Sequence, residues 1–554
     1  MMKRDVGWLA KSQYDVLVVG GGITGACVAW DATLRGLRIA LVERKDFGGA
    51  TSANSLKTIH GGLRYLQDAN LGLVRKMVRE RQAWLRIAPH LVHPLPVLMP
   101  SFKQSLARGR LVLGAAVRLN DLFGLDRNWR SDPQKMLPNG RILSRAECLQ
   151  LLPGLNDASV SGGVLWHDAQ MYNSERLLLS FLLSATEAGA QVANYVAVTD
   201  FLQEGRRVVG ARARDELTGQ ELEIRAEVVV NATGPWVDEV LDQPGLPPQR
   251  PRFHLSTAMN LVTRQILPEY AVALTSTQLP DGSTEAHSRV LFIVPWRNYS
   301  LIGTVHAPFE GRPDDDWVKE KAIVDFVAEV NRAYPGACLR REDVYHVHRG
   351  FLPDVPGHGT SVKLIRESQV TDHQAESGIE GLVTVVGVKY TTARYAAEKV
   401  VDMVFKKLRR PSPRCQTRYA RLYGGQIAHF DEFVTQAMEK WPYELPRYQL
   451  RRLLYNYGSA YRQLLSYFKQ DLDCWQPLSD DAAVTKAEVL YSVHKEMAQK
   501  LSDVSLRRTE LGAAGKPDEA GLLECARIMA AELDWDRRRI DREVNEVYDG
   551  YIVI

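Results

Sequence analysis

Residues 14–43 read YDVLVVGGGITGACVAWDATLRGLRIALVE. The apolar, β-branched run at 14–19 ends in glycines, as a buried parallel strand does. Residues 23–35 read as a helix with small residues near its start, closed by Gly36. Residues 37–42 are the next strand. Strand, glycine turn, helix and strand within about 30 residues make a βαβ unit. Gly20, Gly22 and Gly25 have GxGxxG spacing, and Glu43 closes the second strand. In that context the glycines have distinct duties. Gly20 permits the turn, Gly22 lets backbone approach a pyrophosphate, and Gly25 lets helix and strand pack closely. Ile23 and Thr24 open the helix, whose free N–H groups favour an anion. Glu43 is expected to accept from a ribose hydroxyl pair, which favours FAD or NAD over NADP, with Arg44 beside it.

Outward from this unit, several segments look built for one extended cofactor. Thr51, Ser52 and Ser55 supply hydroxyls soon after Glu43. His60-Gly61-Gly62-Leu63 is a second glycine turn. Ala197 lies on a strand expected at 191–198, and Ala232, Gly234 and Trp236 form a small-residue turn after a strand at 223–231. Gly387, Lys389, Tyr390 and Thr391 follow a strand at 381–386. Convergence of distant segments is what a flavin requires, and it separates FAD from NAD.

The chain has 554 residues, which favours two or three domains. Hydrophobic residues make up 45%, and the net charge of +4 makes no case for nucleic acid. Six scattered cysteines form no CxxC pair, so neither zinc nor a disulfide framework is suggested. The N-terminus lacks a signal-peptide apolar run, and no segment approaches a spanning helix. A cytoplasmic protein follows, one that meets a membrane only from the side. Helices are expected at 70–88, 175–189 and 390–407, and a hairpin at 290–304. Past residue 410 the pattern is mostly helical with Arg-rich faces.

At these residues the chain resembles the FAD-dependent, quinone-linked glycerol-3-phosphate dehydrogenases of the glycine-oxidase/D-amino-acid-oxidase superfamily. The matching text includes ATSANSLKTIHGGLRYL at 50–66, RQAWLRIAPHLVHPLP at 81–96, VVVNATGPWVD at 228–238, LFIVPWRNYSLIGT at 291–304 and GLVTVVGVKYTTARYAAEKVVD at 381–402. The resemblance implies an α/β fold. A Rossmann-like FAD-binding domain (14–75, 161–250 and 356–410) carries an inserted mixed-sheet substrate domain (76–160 mainly cap, and 251–355). A helical C-terminal domain spans 411–554. It also implies oxidation of a C–OH group by hydride transfer to flavin N5. The reduced flavin then passes electrons to quinone or oxygen, at the inner face of the cell membrane, in an enzyme of glycerol metabolism. A homodimer is compatible with it.

The sequence departs from the family where substrate should sit. A KGSH-like segment is replaced by residues 256–262 (STAMNLV), and GTTD becomes Gly303-Thr304-Val305-His306. The arginine of a GVRP segment becomes Leu352, with Arg349 three residues earlier as a replacement clamp. Arg366 matches another family arginine, and Lys389 is retained. Lys389, His306, His348, Arg349 and Arg366 are therefore the candidate catalytic and anion-binding residues. His60 is expected to shape the flavin site through its backbone, Asp168 to serve as an internal hydrogen-bond partner, and Tyr65 and Trp236 to pack in the core. An oxidase or dehydrogenase for another hydroxy or amino compound, and a catalytically inactive flavin-binding protein, remain alternative readings.

Overall fold

The computed structural model describes residues 2–66, 70–103, 109–155, 158–243, 246, 253–276, 289–315, 318–355, 362–441 and 445–551. Two sheets organise the first 410 residues. The first strand, Gln13–Val19, is buried from Tyr14 onward and lies between parallel neighbours, Ile39–Val42 and Glu221–Asn231. Leu382–Val386 extends the parallel set beyond Glu221–Asn231, and Gln191–Ala193 extends it beyond Ile39–Val42. Near-continuous apolar strands suit a parallel sheet covered on both faces. The glycine-loop helix Ile23–Leu34 packs against Ser174–Glu187 and Ala393–Lys407. Gly25, Ala26, Ala29 and Ala32 are small enough to let these helices approach.

The second sheet has nine strands and carries Thr58–Ile59, Val92–Phe102, Val160–Met171, His254–Arg264, Arg289–Trp296, Tyr299–Phe309 and Val344–Asp354 among them. Val160–Met171 therefore pairs inside this sheet, although 161 was the expected return point of the FAD-binding domain. The chain re-enters the first layer with the helix Ser174–Glu187. The Pro-rich stretch at 94–100, unassigned from sequence, lies within the strand Val92–Phe102 and pairs along Val160–Met171. The strand expected over 191–198 breaks at Tyr195, whose φ is +56°, and resumes as Val196–Glu204 in an antiparallel hairpin.

Period-two alternation divides the second sheet. Met259 and Leu261 join the core under the helix Glu320–Ala333. Ala258 and Asn260 face the first domain. Past residue 415, helices from Phe430–Glu439 to Arg537–Asp549 form two apolar clusters of their own. Buried ion pairs tie this domain to the first, as in Arg176–Glu496 at 2.7 Å. Among the described residues no helix is long and apolar enough to cross a membrane.

Candidate functional site

A cavity of about 1700 Å³ opens between the two sheets and reaches the C-terminal domain. That exceeds the roughly 300–1,000 Å³ of a typical small-ligand pocket. The glycine loop forms one end. A Cβ on Gly25 would lie 2.0 Å from the Gly20 carbonyl oxygen, so helix and strand can meet only through glycine there. Gly20 has φ +107°, and a Cβ on it would lie 2.6 Å from Ala232 O. Gly22 differs. A Cβ on it would meet only Ser52 Oγ, at 3.4 Å. Protein packing does not demand glycine at 22, and the open space beside it lies at the start of the helix Ile23–Leu34. Ser52 Oγ accepts from Ile23 N at 3.0 Å, tying the hydroxyl-rich segment to that helix. The donors and the cradle fit an FAD pyrophosphate.

Glu43 accepts from Gly21 N at 2.7 Å and from Lys45 N at 2.9 Å. Burial raises its pKa, against the pull of those two amides. Each carboxylate oxygen keeps a second lone pair for a ligand hydroxyl. Arg44 pairs with Asp314 at 2.9 Å and lies 4.7 Å over the Trp236 ring. Trp236 Nε1 donates to the same carboxylate at 3.0 Å. Trp236 is thus a half-buried rim residue and not core. Val196 and Val198 line the cavity, and Ala197 between them does not.

Thr51, Ser55 and His60 line the cavity, as do Gly234 and Ala232, the latter against the Gly20 turn. His60 N donates to Thr391 Oγ1 at 3.1 Å, and Trp84 Nε1 donates to Thr391 O at 2.9 Å. Asp168 accepts from Gly61 N at 2.5 Å and from the buried Arg81 at 2.6 Å. Its second oxygen lies 3.9 Å from His60 Nδ1. Burial would raise Asp168, but His60, Arg81 and the Gly61 amide outweigh it and hold it below the carboxylate range. Gly61, Gly62 and Leu63 stand behind the wall and do not line it.

Gly387, Lys389, Tyr390 and Thr391 also line the cavity, with Gly387 against Thr24 of the glycine-loop helix. Lys389 Nζ donates to the Arg366 carbonyl and lies 5.2 Å over the Tyr65 ring. Burial pushes Lys389 down to about 8; Glu367 opposes this, while Arg366, Lys76 and Arg64 add to it. Tyr65 is therefore a half-buried neighbour of this lysine, where core packing was expected. Arg64, next to that tyrosine, is exposed and off the cavity wall. Arg366 is exposed and off the cavity wall.

The candidates on the second sheet fare differently. His306 lines the cavity, with Nδ1 3.2 Å from Thr257 O. His348 is buried, its Nδ1 3.3 Å from Ser55 O, and burial with Lys57 beside it holds its pKa well below the usual value. The ring is thus favoured in its neutral form, and it too lines the cavity. Arg349 and Leu352 lie three apart on one strand, so their side chains leave opposite faces. Arg349 lines the cavity and reaches the Gly550 carbonyl at 3.4 Å, from the opposite face of the strand to residue 352.

Residues 15–403 match the family described as FAD-dependent oxidoreductase, and residues 415–540 match the C-terminal domain of alpha-glycerophosphate oxidase. A glycerol-3-phosphate dehydrogenase of Synechocystis is 31% identical over 98% of this chain and 97% of that protein. The chain belongs to this family of FAD-dependent oxidoreductases. Glycerol-3-phosphate dehydrogenase 2 of Mycobacterium tuberculosis is 33% identical over 98% of this chain and 89% of its own length. The crystal structure of the Bacillus halodurans glycerol-3-phosphate dehydrogenase complexed with FAD superposes with a TM-score of 0.75. Its identity is 26%, over 98% of this chain and 95% of that one. The protein is a flavoenzyme of the glycerol-3-phosphate dehydrogenase type, with FAD as its cofactor.

Proposed function

We propose that this enzyme oxidises the secondary alcohol of glycerol 3-phosphate. The observation that carries the reading is Lys389, a half-buried cation on the cavity wall in the loop after Gly387. Burial depresses this lysine, the exposed Arg366 and Arg64 off the wall add to it, and a desolvated cation so placed suits an anionic substrate group. FAD, when bound, supplies the two-electron acceptor. Lys389 holds the anion, and His60 accepts the hydroxyl proton. Thr58 Oγ1, 2.7 Å from His60 Nε2, and the Asp168 carboxylate on the Nδ1 side orient the ring. Trp84 and Thr391 fix the position of the His60 backbone.

The absence of a cation at Leu352 favours keeping a second reading, a smaller or singly charged hydroxy acid or an amino compound. Anaerobic addition of glycerol 3-phosphate is expected to bleach the flavin. Bleaching by another hydroxy or amino compound alone would replace the substrate, and bleaching by none would support a non-catalytic flavin protein. Repeating the oxidation with quinone or with oxygen assigns the acceptor.

The outward face of the helix Arg110–Phe123 supports peripheral contact with an anionic membrane. Leu113 and Val117 are buried, while Leu111 and Leu122 are 87% and 58% exposed. Leu125 and Trp129 continue the exposed surface at 80% and 59%. Beside it Arg130 lies over the Trp129 ring and Arg86 over Tyr419. Burial and the nearby Arg418, Arg130 and Arg421 push Arg86 down. An apolar stripe bordered by arginines suits an interfacial helix on anionic lipid. The protein is expected to sediment with phosphatidylglycerol-containing vesicles and not with pure phosphatidylcholine. The double variant Leu122→Glu, Leu125→Glu should stay in the supernatant; equal sedimentation of parent and variant would reject this surface.

A further inference from the structure

Arg507 and Arg508 belong to the C-terminal domain, on the π-helical turn Val504–Arg508. Both nevertheless end on Asp46 of the dinucleotide-binding fold. Arg508 donates Nη1 to Asp46 Oδ2 at 2.5 Å and Nη2 to Oδ1 at 2.7 Å. Arg507 Nε adds a bond to Oδ2 at 2.5 Å, and Asn194 Nδ2 one to Oδ1 at 3.0 Å. The Arg508 and Asp46 side chains are 0% and 1% exposed. Burial alone would raise Asp46, but the two guanidinium groups outweigh it and hold the carboxyl ionised. Removing one partner from such a pair strands the other charge out of water.

The position of Asp46 gives the contact its consequence. It lies in the turn that joins Glu43 to Gly48, and both ends of that turn are fastened to Gly21. Gly21 N donates to Glu43 Oε2 at 2.7 Å, and Gly48 N donates to Gly21 O at 3.1 Å. Between them the Phe47 ring fills the space where a Gly21 Cβ would sit, 2.6 Å away. A displacement of Asp46 is therefore transmitted to the glycine loop. The arginines are fixed in turn. Arg508 donates to the Glu496 carbonyl at 3.1 Å and Arg507 to Asp503 at 2.8 Å. Asp503 also accepts from Tyr195 OH at 2.6 Å, and Tyr195 N donates to Lys45 O at 2.9 Å. Arg507 itself lines the cavity.

We infer that the C-terminal helical domain is a working part of the FAD site. Arg508, assisted by Arg507, is a positioning residue that acts through Asp46 on the glycine loop holding the adenosine and pyrophosphate half. This rests on the assignment of the cavity to FAD.

The test is FAD titration of the full-length apoprotein together with its melting temperature. Arg508→Met and Asp46→Asn are each expected to raise the FAD dissociation constant by about 30-fold or more. Arg508→Lys keeps the charge but loses the fork, so its rise should be smaller. The control is Arg452→Met, which breaks a buried pair with Glu488 entirely inside the C-terminal domain. It should lower the apoprotein Tm and leave FAD affinity within about twofold of the parent. An Arg508→Met protein that binds FAD as the parent does overturns the inference. So does an Arg452→Met protein weakened to the same extent as Arg508→Met. If Arg508→Met fails to fold, Arg508→Lys decides: unchanged FAD affinity rejects the role, and a rise of about threefold or more supports it. A parent chain that binds no FAD would instead remove the cavity assignment beneath it.

Discussion

Gly22→Val yields a folded protein that retains no FAD. The two halves of that expectation rest on different atoms. A Cβ at position 22 meets only Ser52 Oγ, at 3.4 Å, an ordinary contact with a small side chain. The backbone there has φ −74° and ψ 178°, which any residue adopts. Melting temperature of the apoprotein should therefore move little. The branched side chain projects into the space at the helix start where the pyrophosphate must approach the backbone. Apoprotein titration should show FAD affinity weaker by at least about 100-fold, or nearly 3 kcal/mol. Gly25→Val provides the contrast. Its Cβ would lie 2.0 Å from Gly20 O, so the apoprotein itself should be destabilised. A yellow Gly22→Val protein with ordinary FAD affinity would sink the placement of the pyrophosphate.

This difference between glycines marks how much the sequence discloses. Spacing alone identified Gly20, Gly22 and Gly25 as a set, because the strand before them and the helix after them are local patterns. Only the packed structure separates the glycine that protein atoms require from the one they leave open. The same divide recurs elsewhere. Lys389 was legible because it follows a strand and precedes a helix. The partners of Arg44 were not, since Asp314 lies 270 residues away and reaches it only after the second sheet folds over the first. The strand Val92–Phe102 was obscured by its prolines at 94, 96 and 100. Its apolar residues have no clear alternation because both faces are partly covered. Arg349 looked like a substitute for the arginine lost at 352 by distance along the chain. Strand alternation puts the two side chains on opposite faces, a constraint that requires knowing that 344–354 is a continuous strand. The role of Arg508 was invisible for a similar reason: an Arg-rich helical segment normally reads as a solvated face, and nothing local announces a buried carboxylate 462 residues earlier.

Replacing Lys389 by Ala should slow the reaction with an anionic substrate far more than it weakens FAD. Lys389 is half-buried in the loop that follows Gly387, beside Thr24 of the glycine-loop helix, and its ammonium is held by the Arg366 carbonyl and the Tyr65 ring. Loss of one cation from a desolvated anion site costs about 2–5 kcal/mol. In kcat/KM that is a fall of roughly 30- to several-thousand-fold. FAD affinity should stay within about fivefold, because the Lys389 ammonium is held by the Arg366 carbonyl and the Tyr65 ring and not by the glycine loop. The pH dependence follows from the depressed pKa. Burial brings Lys389 down to about 8, so its charge is present below that pH and lost as pH rises through it. An anionic substrate then meets a neutral amine. The kcat/KM profile, which reports the free enzyme, should fall on the alkaline side with an apparent pKa near this value. Lys389→Arg keeps its charge throughout the range and should flatten that limb, even if the altered geometry lowers the plateau. A Lys389→Ala protein that loses FAD while reducing what remains at the parent rate would make the lysine a cofactor ligand. An alkaline limb that persists unchanged in Lys389→Arg would place the titrating group elsewhere.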